Sequence, residues 1–220
     1  EYYVIPHEDL IEEFVKRGIP REKLLPWGIP VRQSFMKQWN KKEARKICHI
    51  PQNNKSYLVM GGSMGFGKIQ IFVLELARRM EADENMVVIC GNNKKLEKLL
   101  KRELVHRKNV KVLGYTDQVA AYMAACDVIF TKPGGLSSTE AAVKQIPIVH
   151  TAPIPGCETK NRSFFVKKGM SVTAYTEYGL VRKGMQLLHN PGKKNAMQRA
   201  QHRGMEKHSA EKIYQFVKAK

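Results

Sequence analysis

The sequence has few cysteines and lacks long apolar runs, and both absences exclude classes of protein. Its four cysteines, Cys48, Cys90, Cys126 and Cys157, show neither C-x-x-C spacing nor accompanying histidine pairs. A disulfide framework and a zinc site are therefore not expected, and Cys90 and Cys126, in or beside apolar runs, are predicted to be reduced core residues. No apolar run approaches the length of a membrane span, and no signal peptide opens the chain, which predicts a cytoplasmic protein.

Acidic residues are also scarce. The 220 residues include 20 Asp and Glu against 38 Lys and Arg, a formal net charge of +18. Such an excess indicates an anionic partner, which could be nucleic acid, a nucleotide or an anionic membrane, unless it is only a solvated basic surface. Two segments, 92–111 and 193–220, each carry an excess of six positive charges. Composition alone leaves these alternatives open.

What the sequence does contain is a regular alternation of short apolar runs and amphipathic segments. Strands are predicted at 57–60, 86–90, 110–113, 127–131, 147–151 and 171–174. Helices are predicted at 68–82, 94–105, 117–125, 136–144, 160–168 and 177–189, then near 193–204 and 206–218. Because the strands are continuous apolar runs, both sheet faces should be covered, which predicts an α/β fold with a Rossmann-like parallel sheet and helices on both faces.

The first part of the chain follows a different pattern. A short strand is predicted over 2–5, a helix over 7–17, and a second strand from Leu24. A segment rich in glycine and proline ends at Val31 and is typical of a linker. One basic helix is predicted over 35–47.

Three turns that contain glycine follow predicted strands, at 59–68 (V-M-G-G-S-M-G-F-G-K), 132–140 (K-P-G-G-L-S-S-T-E) and 155–161 (P-G-C-E-T-K-N). Glycine lets a ligand approach the main chain closely, and a helix start favours a phosphate group. The first turn differs from the G-x-G-x-x-G dinucleotide fingerprint. Parallel strands end at a common sheet edge, so one crevice could collect all three turns.

The turn at 132–140 offers two kinds of ligand group. The amides of Gly135, Leu136 and Ser137 are predicted to be unpaired donors at a helix start, although Ser137 could instead cap its own helix. Glu140 lies one turn further on. A buried carboxylate needs partners, and two ribose hydroxyls would be suitable donors.

The acidic and amide side chains of these turns could have structural roles instead of binding a ligand. Glu140 could instead pair with Lys132 or Lys144. Glu158 and Asn161 lie three residues apart on one helical face and could bind vicinal sugar hydroxyls, or they could cap helix 160–168. For Thr159 alone, capping is the favoured interpretation.

The three motifs G-G-S-x-G-x-G, K-P-G-G-x-S-x-x-E-A and P-x-P-G-x-E-x-x-N, in this order, resemble the carboxyl half of a lipid glycosyltransferase with the GT-B fold. The resemblance is to the family of monogalactosyldiacylglycerol synthases and processive diacylglycerol glucosyltransferases, and more distantly to the GlcNAc transferase of lipid II synthesis. It implies two facing Rossmann-like domains. Residues 1–30 would be a remnant of the N-terminal acceptor domain, and residues 31–220 the domain that binds the UDP-sugar donor.

The resemblance also implies roles for individual residues. The diphosphate would be lined by Gly62, Ser63, Gly65, Pro133, Gly134, Gly135, Leu136 and Ser137. The ribose would be held by Glu140, the uracil by Tyr115 and Thr116, and the hexose by Glu158, Thr159 and Asn161. Cys157 replaces the glutamine usual in this family, which leaves the choice between glucose and galactose open.

The implied reaction is an inverting transfer of glucose or galactose from UDP-glucose or UDP-galactose to diacylglycerol, with no cofactor and no metal. The general base is expected in the N-terminal domain, so the chain is predicted to be inactive alone. His7 and His150 are lone candidates within the chain, and each is more often a structural histidine. The basic segments are expected to attach the protein peripherally to an anionic membrane.

Two alternatives remain. Within enzymes, the chain could be another UDP-sugar protein of this fold, such as a lipid II GlcNAc transferase or a UDP-GlcNAc epimerase. From a different class, it could be a basic nucleic-acid-binding protein. The sequence shows no aromatic-rich RNA motif, zinc finger or clear recognition helix, so a nucleic-acid partner is not expected.

Overall fold

A computed structural model of the protein describes residues 1–61 and 69–219. Its strands are β1 (Tyr3–Val4), β2 (Leu24–Leu25), β3 (Lys55–Met60), β4 (Glu84–Ile89), β5 (Val110–Leu113), β6 (Val128–Thr131), β7 (Ile148–His150) and β8 (Ser171–Thr173). The last six form one parallel sheet in the order β5-β4-β3-β6-β7-β8. The strand order reverses between β3 and β6, as in a doubly wound Rossmann-like sheet, so the predicted fold class is confirmed.

Helices cover both faces of this sheet. They are α1 (Ile11–Val15), α2 (Gln33–Met36), α3 (Lys41–Cys48), α4 (Ile69–Arg79), α5 (Lys94–Glu103), α6 (Val119–Ala125), α7 (Gly135–Val143), α8 (Cys157–Lys167), α9 (Glu177–His189), α10 (Pro191–Gly204) and α11 (Ser209–Lys218), with 3-10 turns at Glu8–Leu10 and Arg21–Lys23. Among the described helices, none combines the length and the apolar character needed to cross a membrane.

The core has two apolar layers, one on each sheet face. Successive side chains of a strand point to opposite faces. Leu58 therefore joins the layer under α3 and α6, whereas Val59 joins the layer under α4 and α9. Both side chains are buried, as are Cys90 and Cys126, which are free thiols as predicted. Burial on both faces is the physical reason why the strands are continuous apolar runs.

Two helix predictions are corrected. The single helix predicted over 35–47 is two helices, because residues 37–40 leave the helical path and the Asn40 side chain accepts a hydrogen bond from the Lys42 amide, which starts α3. The helix predicted over 160–168 begins earlier, at Cys157. Gly156 has a φ of 104°, a conformation open to glycine, and this lets the chain enter α8 directly.

The first 30 residues form a small unit beside the main sheet. β1 pairs in parallel with β2, and the helix predicted over 7–17 consists of a 3-10 turn and the short α1. Lys160 Nζ lies 2.9 Å from Glu13 Oε1, and the Trp27 ring lies 5.3 Å from that of Phe216. This unit therefore packs against α8 and α11, while the boundary between domains at residue 30 stays a prediction.

Candidate functional site

The site is built where the order of the strands reverses. Met60, the last residue of β3, lies beside Thr131, the last residue of β6. A crevice at this position is where open α/β sheets bind ligands. The predicted Gly62, Ser63 and Gly65 follow β3 in the sequence and lie outside the described residues.

The N-terminus of α7 lies at the same edge of the sheet as this crevice. Gly134 is its N-cap, with extended backbone, and no side chain in the described part of the chain caps the helix. Ser137 is inside the helix, so the alternative that it caps this helix is wrong. The first intrahelical hydrogen bond runs from the Ser138 amide to the Gly134 carbonyl at 3.0 Å. The amides before it lack intrahelical acceptors and form, with the helix dipole, a suitable place for an anion.

Glu140 is a buried carboxylate with an unforeseen partner. Only 9% of the residue is exposed, and its Oε1 lies 3.7 Å from Nη2 of Arg32. Burial raises the pKa of Glu140 and outweighs the opposing effect of the guanidinium. Lys144, one predicted alternative partner, instead donates to the Lys37 carbonyl at 2.6 Å. Sequence reasoning missed Arg32 because one arginine after a linker carries no spacing signal.

α8 is tied directly to the turn before α7. Asn161 Nδ2 donates a hydrogen bond to the Pro133 carbonyl at 3.0 Å. A Cβ added to Gly135 would lie 3.5 Å from Ile29 Cδ1 and 3.9 Å from the same Asn161 nitrogen. The structure thus brings two of the three predicted turns together, with the end of the N-terminal unit beside them.

The other predicted residues of α8 lie in its first turn. Glu158 Oε2 accepts a hydrogen bond from the Ile154 amide at 2.6 Å, which holds the preceding loop closed. Thr159 follows the Gly156 N-cap and the helix has no side-chain cap, so the favoured capping role of Thr159 is wrong. A sugar contact by Glu158 or Thr159 stays a prediction.

Tyr115 and Thr116 lie after β5, at the same edge of the sheet but at its outer strand. The Tyr115 residue is 73% exposed. Thr116 Oγ1 accepts a hydrogen bond from the Gln118 amide at 3.1 Å and so orders the approach to α6. An exposed aromatic ring here leaves a face open to a planar ligand, and the role at uracil stays a prediction.

The two histidines differ in environment. His150 is fully buried, its Nε2 lies 3.0 Å from Ser138 Oγ, and burial lowers its pKa to about 3. An imidazole so poorly basic is a structural link between β7 and α7, which supports the structural interpretation. His7 caps the 3-10 turn by accepting from the Asp9 amide, and its ring lies 5.0 Å from that of Phe164.

An apolar pocket of about 300 Å³ adjoins the two converging turns. It lies between the N-terminal unit and α8, and its wall includes Gly135 and Asn161. Aliphatic and aromatic side chains in its wall come from Leu10, Phe14, Ile29, Phe164, Phe165 and Met205. A polar crevice and an apolar pocket therefore share a border.

Residues 40–204 match the protein family described as glycosyl transferases group 1. The chain is 32% identical over 175 residues to the processive diacylglycerol beta-glucosyltransferase of Staphylococcus carnosus, a match that covers 79% of this chain and 44% of that protein. The corresponding protein of Staphylococcus saprophyticus is 31% identical over 195 residues, with 89% and 50% covered. The chain thus spans about half the length of these curated relatives.

Solved structures share the fold at low sequence identity. UDP-GlcNAc 2-epimerase from Neisseria meningitidis, bound to UDP-GlcNAc, superposes with a TM-score of 0.71 at 17% identity and covers 100% of this chain and 61% of that one. A glycosyltransferase involved in lipopolysaccharide biosynthesis gives a TM-score of 0.66 at 16% identity, with 96% and 60% covered. These likenesses concern the fold alone.

Proposed function

The chain belongs to the glycosyl transferases group 1 family, and we propose that it is the donor-binding half of a UDP-sugar:diacylglycerol hexosyltransferase. The observation that carries the proposal is the convergence at the strand reversal. There the uncapped start of α7, the buried Glu140 beside Arg32, and the bond from Asn161 to Pro133 lie on neighbouring elements. The names of the Staphylococcus relatives support a lipid acceptor.

In the proposed complex, the diphosphate lies at the α7 amides and the ribose at Glu140. The ribose hydroxyls would donate hydrogen bonds to the Glu140 carboxylate. The guanidinium of Arg32 partly neutralises this carboxylate and also offers a positive charge to the diphosphate. As the acceptor hydroxyl attacks the anomeric carbon, UDP leaves and negative charge grows on its phosphates. Amides that are already oriented stabilise that charge without reorganisation.

The acceptor would reach this site from the apolar side. The pocket of about 300 Å³ that borders Gly135 and Asn161 suits the apolar part of a lipid, and Lys160 and Arg17 lie in its lining. The base that deprotonates the acceptor is proposed to lie in the other domain. We also propose that the basic segments, including the exposed lysines of α5, attach the protein peripherally to an anionic membrane.

Calorimetry tests the donor half. UDP should bind, and Glu140→Ala should weaken it by about tenfold or more, because hydrogen bonds to a charged group contribute about 1.5–3 kcal/mol each. Glu103→Ala, which removes a carboxylate on α5, is the matched control and should leave the affinity unchanged. UDP-glucose, UDP-galactose and UDP-GlcNAc, titrated in parallel, identify the hexose.

Two further measurements separate the alternatives. A salt series of DNA binding should show weak affinity and no competition by UDP. Strong DNA binding with a steep salt dependence, together with no response to UDP, would replace the proposal with nucleic-acid binding. Turnover of diacylglycerol by this chain alone would show that the base lies within it.

A further inference from the structure

A second cavity lies at the opposite edge of the sheet from the crevice. Its volume is about 640 Å³. α7 runs from the carboxyl ends of the strands back to their amino ends, so Lys144 at its end lies far from the helix start that forms the crevice. Asp127, which immediately precedes β6, also lines the cavity. The proposed donor site and this cavity therefore use opposite ends of the same elements.

The charge in the cavity is strongly one-sided. Five lysines line it, Lys37, Lys41, Lys144, Lys194 and Lys207. Among the described lining residues, Asp127 is the only acid. Its Oδ2 already lies 3.0 Å from Nη2 of the buried Arg45. The single carboxylate is thus largely neutralised before the lysines of the cavity are counted.

Three of the five lysines lack an acidic partner. Lys37, Lys144 and Lys207 form no ion pair with any carboxylate in the part of the chain that the structure describes. Lys207 Nζ instead lies 3.4 Å from His202 Nδ1. Burial and the nearby charge of Lys207 lower the pKa of Lys144. Gathering these ammonium groups without a counter-ion costs free energy that a bound anion would recover.

Trp39 also lines the cavity. Its indole Nε1 is buried and has no hydrogen-bond partner among the described residues. The Lys37 ammonium lies 4.6 Å from the centroid of the Trp39 ring. The Trp39 ring therefore lies beside one of the lysines of the cavity and can report on what binds there.

We propose that this cavity binds a phosphate group, either free or as the headgroup of a phospholipid. The argument rests on five lysines in one lining, three of which have no acidic partner among the described residues, and on a single carboxylate that is already paired. A phosphate offers several strong acceptor oxygens and negative charge, and lysine is a common phosphate ligand because its ammonium is a compact charge with three donors. The inference is independent of the proposed donor site.

Tryptophan fluorescence tests the cavity directly, because the chain has two tryptophans and Trp27→Phe leaves Trp39 as the reporter. Inorganic phosphate and glycerol phosphate, titrated at constant ionic strength, should change the Trp39 emission in a saturable way. Vesicles of phosphatidylcholine with and without phosphatidic acid form the second arm, with sedimentation as a further readout. Saturation by the soluble phosphates alone identifies a free ligand, and a response confined to phosphatidic acid identifies a headgroup.

Variants then locate the binding. Lys144→Gln with Lys207→Gln should weaken phosphate by about tenfold or more, as expected for the loss of two charge-assisted contacts. Lys94→Gln with Lys95→Gln, an equal loss of charge on α5, should leave it unchanged. Should the first pair destabilise the fold in a urea titration, the single exposed Lys37→Gln replaces it and should still weaken binding measurably.

Three results would overturn the proposal. The first is the absence of a saturable response in every arm. The second is equal binding by the variants of the cavity and by the wild type. The third is displacement of phosphate by saturating UDP, because the ion would then occupy the crevice at the other edge. A Glu140→Ala variant that no longer binds UDP should still bind phosphate. This result would show that the phosphate cavity and the proposed donor site are independent of each other.

Discussion

The buried carboxylate of Asp127 connects α3 to the central sheet, and its removal gives the most quantitative prediction. Its Oδ2 accepts hydrogen bonds from Arg45 Nη2 at 3.0 Å and from the Ser56 amide at 2.9 Å. Lys41 also donates to Oδ1, and Lys194 Nζ lies 3.6 Å from it. Asp127→Asn keeps the size and one acceptor but removes the charge opposite a buried guanidinium.

The magnitude follows from the burial of the pair. The side chains of Arg45 and Asp127 are 6% and 8% exposed. Loss of one partner from a buried pair costs about 3–5 kcal/mol, and the retained acceptor of asparagine places this variant near the lower value. Lys41, with a side chain 47% exposed, adds little because solvent screens it. With an m-value of about 2–3 kcal/mol/M, the urea midpoint should fall by roughly 1–1.5 M.

The pH dependence of the free energy of unfolding tests whether the charge of Asp127 causes this loss of stability. Burial alone would raise the pKa of Asp127, but the hydrogen bond from Lys41 and the charges of Lys41 and Lys194 hold it below its ordinary value. A lowered pKa gives stability that is present above the unfolded pKa of about 3.9 and is lost as the pH falls through the folded value. The gap between wild type and variant should therefore be constant from about pH 5 to pH 7 and should shrink below about pH 4.

Urea unfolding at several pH values measures both quantities. Asp83→Asn, at an exposed aspartate, is the matched control and should change stability by less than about 0.5 kcal/mol. A loss below about 1 kcal/mol for Asp127→Asn, or a gap that stays undiminished in acid, would refute the reasoning from a buried ion pair.

Two further predictions concern packing and the site. Gly184→Ala should destabilise the protein by roughly 1–3 kcal/mol despite better helix propensity, because its Cβ would lie 2.0 Å from Cζ of the buried Phe130. Thermal melting measures this, and Phe130→Leu in the same chain should restore part of the loss; additive losses would contradict the clash. Asn161→Ala should cost about 1 kcal/mol by leaving the Pro133 carbonyl unpaired, and it should also weaken UDP if that turn binds the donor. Unchanged urea stability would show that the contact is not stabilising.

The architecture of the sheet follows from local patterns in the sequence. Continuous apolar runs such as Tyr57–Met60 indicate strands that are buried on both faces, and the segments between them carry helical periodicity. From these local signals the parallel sheet, and the placement of the glycine-containing turns after strands, could be predicted. The segment 35–47 was misjudged because its composition suits a helix, whereas the Asn40 cap interrupts it.

Contacts between groups that are distant in the sequence depend instead on how the elements pack. The pairing of Arg32 with Glu140, and the bond from Asn161 to Pro133, join residues on separate elements whose neighbours in sequence give no sign of the contact. The lysine cavity is likewise assembled from the ends of several helices and loops. Periodicity reports the face on which a residue lies, but the partner across that face depends on the packing of the whole chain. Polar contacts between elements are therefore set by the fold and not by local pattern.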